Sequence, residues 1–462
     1  MTFDTSTLSF QDALSNDRSV TIHADGLISD APGNDDTTDI TTPTLPVLRA
    51  YGIGNTQADA LNINVNLLNL NQIWNNNVFI SEADGLTFGT ITIVADWWRD
   101  FNVRQLTGNV VQGTSPRLQA NDFTFTVDQV GAAIGTAANP ILIQAIDHGD
   151  TADLSAKATG NGGMFISEND HMYLNLVDAR SGDIGLTAVG GHILQVVGGT
   201  NIRTTGTLTL DATYQIGWLG VEVPRLIAHS HNGYGTYISD LDGIELADVD
   251  TAGGDIQITS TGTILALDVV TPSSLSLTAS SGDIKFGAVT AYNAFITAST
   301  GSILDDVAID DNLVDITTTG TLQLQAPATG QTAGTATNSL DIQPQNGTLN
   351  LNTRAGFWIN ILSGSDISNL IVNVPAGATQ IINGGGLTYN VTSTGLPSNV
   401  TTINEITNSN MSLTLTNESG DLNVVKIDLG SGTAGDLNNL TTPGNITIGQ
   451  CRVVFKAGIF CS

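Results

Sequence analysis

A chain of 462 residues is long enough to bury a sizeable core, yet only 13% of its residues are charged, 5% are aromatic and 50 are glycine, a composition of turns and short strands that leaves little room for helices. Its 44 acidic side chains against 14 basic ones give a formal charge of −30, which repels phosphate backbones and anionic lipid and so excludes nucleic acid as a partner. No apolar run of about 18 residues occurs and the opening Met1-Thr2-Phe3-Asp4 carries no basic, apolar leader, so direct membrane insertion is not expected, and an exported chain of this kind implies a longer precursor or an export signal elsewhere.

In chain order, Ile28-Ser29-Asp30-Ala31 and Thr38-Asp39-Ile40 come first and are echoed far downstream by Ile303-Leu304-Asp305-Asp306 and Val314-Asp315-Ile316. An Ile-Gly step follows at Tyr51-Gly52-Ile53-Gly54 and recurs at Ala133-Ile134-Gly135-Thr136 and Gln215-Ile216-Gly217. Behind each step stands an acidic motif: Phe79-Ile80-Ser81-Glu82-Ala83-Asp84-Gly85-Leu86, then Phe165-Ile166-Ser167-Glu168-Asn169-Asp170, then Tyr237-Ile238-Ser239-Asp240-Leu241-Asp242-Gly243-Ile244. A third marker is Ser181-Gly182-Asp183-Ile184, Gly253-Gly254-Asp255-Ile256 and Ser281-Gly282-Asp283-Ile284, each leading to a Gly-x-Ile-Leu step at Gly191, Gly262 and Gly301.

Markers that keep step define a module of roughly 80 residues. The organisation expected is module 1 over 1–102, module 2 over 103–183, module 3 over 184–300, a degenerate module 4 over 301–360 and a divergent β-rich region over 361–462 that serves as a cap or docking end. Between markers the text alternates with period two, as in Thr207-Leu208-Thr209-Leu210 and Thr348-Leu349-Asn350-Leu351, which is the signature of half-buried strands. Separate β-sandwiches would need bulkier aromatic cores and linkers. The fold class expected is therefore all-β, a parallel β-helix or β-solenoid in which each module contributes several turns and small aliphatics stack from turn to turn.

The ordered string of Ile-Gly step, Phe-Ile-Ser-Glu-x-Asp-Gly-Leu, Ser-Gly-Asp-Ile and Gly-x-Ile-Leu over roughly residues 28 to 330 resembles the repeats of filamentous-haemagglutinin-like giant bacterial surface adhesins. That resemblance implies a secreted β-helical shaft that binds other surfaces. The chain departs from the family in lacking the N-terminal secretion domain and in its cysteine-bearing C-terminus.

Several residues are candidates for chemistry. Glu82 with Asp84, Glu168 with Asp170 and Asp240 with Asp242 stand two apart, so on a strand each pair shares a face and offers hard oxygen ligands for calcium; the alternative is that these acids form turns. No recognised calcium loop is present, and no cofactor is required. Asp35, Asp36 and Asp39, like Asp305, Asp306, Asp310 and Asp311, read as solvated loops, or as cation-mediated contacts between neighbouring shafts. His229 and His231 could hold a transition metal, although a third close ligand is missing. Trp97, Trp98 and Phe101 interrupt the first module and offer an aromatic patch for a glycan or partner, or else pack a lateral loop. Cys451 and Cys461 bracket a predicted terminal hairpin, where a disulfide would contribute roughly 2–3 kcal/mol in an oxidising compartment; unpaired thiols or an intermolecular link are the alternatives.

The acids repeat with the module and do not gather in one place, and basic residues near the middle repeats are few, Arg203, Arg225 and Lys285 among them. The expected function is therefore non-enzymatic: an extracellular structural or adhesive rod of a bacterial surface protein, with cell-surface or glycan ligands or other copies of itself as partners. A self-assembling sheath, filament or surface-layer subunit is the first alternative, and a β-helical polysaccharide-processing enzyme the second.

Overall fold

A computed structural model describes residues 19–30, 37–73, 76–93, 100–113, 117–146, 154–196, 198–307 and 313–362, at 48, 49, 72, 73, 92, 93, 346 and 361 by backbone alone, together with backbone strands between 2 and 15 and between 366 and 452. The protein is all-β, a parallel β-solenoid of about 14 turns. Every ladder between its described strands is parallel, and among the described residues no helix is long and apolar enough to cross a membrane. Two compact units divide the chain, Met1–Asn232 and Gly233–Ser462.

In the first unit, successive partners lie from 18 residues apart (Leu208 to Leu226) to 31 apart (Phe123 to Leu154), so the repeat set by hydrogen bonding is the single turn with loops of varying length between strands. Alternation decides which side chains enter. In Asp100–Gln105 and Asp122–Val127 every second residue is buried, and the strands pair in register from Asp100 opposite Asp122 to Gln105 opposite Val127. Stacked turns about 4.8 Å apart therefore place like on like: Met164, Ile184, Leu208 and Leu226 form one inward column, and Ile166, Leu186, Leu210 and Ala228 the next.

Phe101 belongs to this interior. It is fully buried, in register between Val78 and Phe123, with ring centroids 5.6 Å from Phe88, 6.2 Å from Phe123 and 6.3 Å from Phe125. The expectation that it presents an aromatic surface for a ligand is overturned, because it occupies an inward position of an alternating strand; Trp97 and Trp98 lie outside the described residues. A Phe101→Ala substitution is expected to lower stability by about 3–5 kcal/mol, the usual cost of an aromatic-sized cavity, measurable as a drop in the urea midpoint without loss of the β-type circular dichroism spectrum.

The second unit is more regular. Ile238, Ile258, Leu277, Ile296, Leu324 and Leu351 succeed one another in register and are all buried, a continuous aliphatic column over six turns. The long strands Ile264–Ala279 and Ile284–Ala298 pair along nearly their whole length. Parallel backbone pairing continues through the region expected to diverge, as far as Ile446–Arg452 against Leu422–Asp428. Cys451 falls within that last parallel strand, opposite Ile427. The remainder of the expected hairpin, with Cys461, lies outside the described residues.

Candidate functional site

The acidic motifs occupy equivalent places. Strands Val78–Glu82 and Met164–Glu168 end on their glutamate, which is fully buried, and the chain bends immediately afterwards. Glu82 accepts the N–H groups of Ala83 at 3.0 Å and Asp84 at 3.3 Å from its own turn, and that of Val65 in the preceding turn at 3.2 Å. Glu168 does the same with Asn169 at 2.8 Å, Asp170 at 3.3 Å and Ala145 at 3.1 Å. In both cases the cross-turn donor sits two residues past the residue paired with the chain just before it bends: Ile63 accepts from Ala83 N–H, and Ile143 from Asn169 N–H. The glutamate thus takes the next amide, which the bend has left without a strand partner.

Asp240, one methylene shorter, accepts Asp242 N–H at 3.3 Å and Gly243 N–H at 2.7 Å, and reaches the following turn instead, through Ser260 Oγ at 2.8 Å. The calcium expectation for these pairs assumed a shared strand face, and the structure contradicts it. Glu82, Glu168 and Asp240 point inward at 0–2% exposure, whereas Asp84, Asp170 and Asp242 are exposed, because the strand ends between the members of each pair. Among the described residues, none of the three pairs joins a group of three metal-binding side chains.

A second set of acceptors joins one turn to the next. Asp183 accepts Thr207 N–H at 2.8 Å, Asp255 accepts Ser274 N–H at 3.0 Å and Asp283 accepts Ser302 N–H at 2.8 Å, so the acid of each Gly-Asp-Ile marker receives an amide from the following turn. Asn77, Asn109 and Asn293 play the same part for Asp100, Ala133 and Thr321. Asp39 and Asp315 do so from buried positions, accepting the N–H of Asn62 at 2.9 Å and Asp341 at 2.7 Å. Asp39 and Asp305, read from sequence as solvated, are only 5% and 6% exposed, while Asp35, Asp36, Asp310 and Asp311 lie outside the described residues.

A further turn carries the Ile-Gly step at two of its three places. Gly54, Gly135 and Gly334 adopt φ of 62°, 67° and 70°, left-handed values that glycine alone takes without strain. After Gly135 and Gly334 come bridges between Thr136 and Asn139 and between Thr335 and Asn338. Ala333 stands where the first two copies have Ile53 and Ile134, and Phe357 pairs with it as Val78 and Met164 do with those isoleucines. In the third expected copy it is Trp218, not Gly217, that takes positive φ, at 51° with 64% exposure.

Burial governs the proton equilibria of two of these acids. Desolvation pushes the Glu82 carboxyl up to about 8, aided by the Asp84 charge and opposed by the N–H groups of Asp84, Val65 and Ala83. Desolvation likewise raises Asp315, to about 9, opposed by the Asp341 N–H and aided by the charges of Asp305, Asp341 and Asp306. Gln105, in register with Glu82, holds a buried Oε1 without a hydrogen-bond partner, an acceptor one turn away from that carboxyl.

The first unit also carries a ladder of rings. His171 and His192 stack with centroids 4.9 Å apart and planes at 26°, and Tyr214 continues the stack 5.3 Å beyond His192. His171 Nδ1 accepts His192 N–H at 3.1 Å, and His192 Nδ1 accepts Gln215 N–H at 3.0 Å, which leaves the proton of each neutral ring on Nε2. Burial and the neighbouring His171 hold His192 below the usual histidine range. Beside His171 a groove of about 280 Å³ is lined by Gln144, Ala145, Ile146, Asp170 and His171.

Of the other basic and histidine candidates, Arg203 lies 3.3 Å from Glu222 on the next turn and His231 Nε2 lies 2.8 Å from Asp211, whereas His229 gathers with Asp248 and Asp250, not with His231, their ligand atoms within 4.8 Å of one another. Both pairs are substantially exposed and are worth little to stability. No protein-family model matches the sequence, and comparisons with curated proteins and with solved structures give no match.

Proposed function

We propose that the chain is a non-enzymatic structural and adhesive segment of an extracellular bacterial surface protein, a stiff solenoid shaft of the filamentous-haemagglutinin-like kind. One observation carries this reading: the repeated acids that would have to serve catalysis accept backbone N–H groups that hold successive turns together. Glu82, Glu168 and Asp240 are buried at turns, and Asp183, Asp255 and Asp283 each join one turn to the next. A glycosidase needs two carboxyls facing one bond across a cleft, one of them free to give up a proton. Here the acids recur at equivalent places along the coil and have structural partners.

The test is to incubate the purified chain with a panel of bacterial and host polysaccharides while following its retention on cell surfaces. Retention without new reducing ends or unsaturated sugar products is the expected result. Release of either product in proportion to protein would overturn the proposal in favour of the enzyme, and ordered filaments formed by the chain alone, without retention, would overturn it in favour of the self-assembling sheath.

A further inference from the structure

We infer that the groove between the turn at 144–146 and the turn at 170–171 of the first unit binds one neutral sugar residue of a surface glycan. The inference rests on the adhesive reading above and gives it a place and a ligand class. The groove's volume of about 280 Å³ lies near the lower end of the ~300–1,000 Å³ typical of small-molecule sites, room for a single pyranose-sized ring.

Its walls match what a sugar presents, an apolar face of C–H bonds and a rim of hydroxyls. His192 and Tyr214 cover His171 on the side of the later turns. Ala145 and Ile146 of the earlier turn line the groove together with His171. The rim is polar: the Asp170 side chain is 64% exposed and accepts hydrogen bonds, and the Gln144 amide both donates and accepts.

His171 is fixed for this task. Its Nδ1 holds the His192 N–H at 3.1 Å, so the ring keeps one orientation, with Nε2 3.8 Å from Asp170 Oδ1. A neutral ring so bonded carries its proton on Nε2 and therefore donates to a hydroxyl; the same proton bars Nε2 from ligating a metal. The Asp170 carboxylate and the formal charge of −30 disfavour sugars bearing carboxylate or sulfate, which selects a neutral residue.

Titration calorimetry of the full chain with cellotetraose, mannotetraose, galactotetraose and N-acetylchitotetraose tests the inference. Asp170→Asn removes the charge of the rim. His171→Asn removes the ring but keeps an acceptor for His192 N–H, so the stack of turns is retained. At least one oligosaccharide is expected to bind, with affinity falling tenfold or more in each variant and unchanged in Tyr292→Ala, an exposed position of the second unit. Urea midpoints of the variants serve as the folding control. Binding that survives both substitutions, or no binding to any of the four, overturns the site. If the chain still adheres to cells in either of those cases, the adhesive reading stands while this groove falls.

Discussion

Replacing Glu168 by alanine is expected to lower the stability of the first unit by about 2–4 kcal/mol, a large effect for one side chain. The carboxylate accepts three backbone N–H groups, those of Ala145, Asn169 and Asp170, from a fully buried position. A buried donor left without a partner costs roughly 1–3 kcal/mol. Ala145 N–H bears that cost most fully, since Asn169 N–H keeps the Ile143 carbonyl and Asp170 lies in an exposed bend that water can reach. Glu168→Gln keeps one acceptor oxygen and should fall between the parent and the alanine variant. Asp84→Ala, at the exposed position of the equivalent motif, should stay within about 0.5 kcal/mol. Equal losses at the buried and the exposed acid, read from urea midpoints at constant slope, would refute the turn-holding role.

Raising the pH from 5 to 9 is expected to destabilise both units, contrary to the usual behaviour of hydrogen-bonded carboxylates. Glu82 and Asp315 have their pKa values raised in the folded state, to about 8 and about 9, from ordinary values of 4.5 and 3.8. Between the unfolded and folded values the folded chain holds the proton that the unfolded chain has lost. The stabilisation from each group is complete below the unfolded value and disappears as pH rises through the folded one. With about 1.4 kcal/mol per pKa unit, each group should account for at least roughly 3 kcal/mol of the decline. His192, whose pKa is lowered, acts in the opposite sense, removing stability as pH falls below 6.5. Denaturant titrations at pH 5, 7 and 9 check the sign, and Glu82→Gln and Asp315→Asn should each flatten the slope. A stability that rises steadily from pH 5 to 9 would contradict the account.

The fold was legible because its two causes are local. Period-two bursts such as Thr207-Leu208-Thr209-Leu210 mark the inward face, and Gly-Asp-Ile markers fall where strands begin, at Ile184, Ile256 and Ile284. The acid pairs were misread because the two-residue period was carried past the end of the strand: Glu82 closes Val78–Glu82, and the bend turns Asp84 outward. Phe101 was judged by its neighbours Trp97 and Trp98, although Phe101, Val103 and Gln105 form the buried half of its own strand. His171 and His192 share no motif in the sequence. Their spacing of 21 residues is one turn of the coil, so aligning histidines at the turn length would have brought them together. The glycine turn at Gly334 was hidden by Ala333, where the other copies carry isoleucine, although Thr335 and Asn338 repeat Thr136 and Asn139.

The central claim is that buried acids hold the turns of this solenoid by accepting amides from adjoining turns, and amide hydrogen exchange measured residue by residue tests it most directly. The account predicts slow exchange at Val65 and Ala145, comparable to amides paired with strand carbonyls, and a selective acceleration at Ala145 in Glu168→Ala, while Asn169 stays held by the Ile143 carbonyl. Exchange at these two amides as fast as at the exposed residue Gly233 in the parent chain would contradict it.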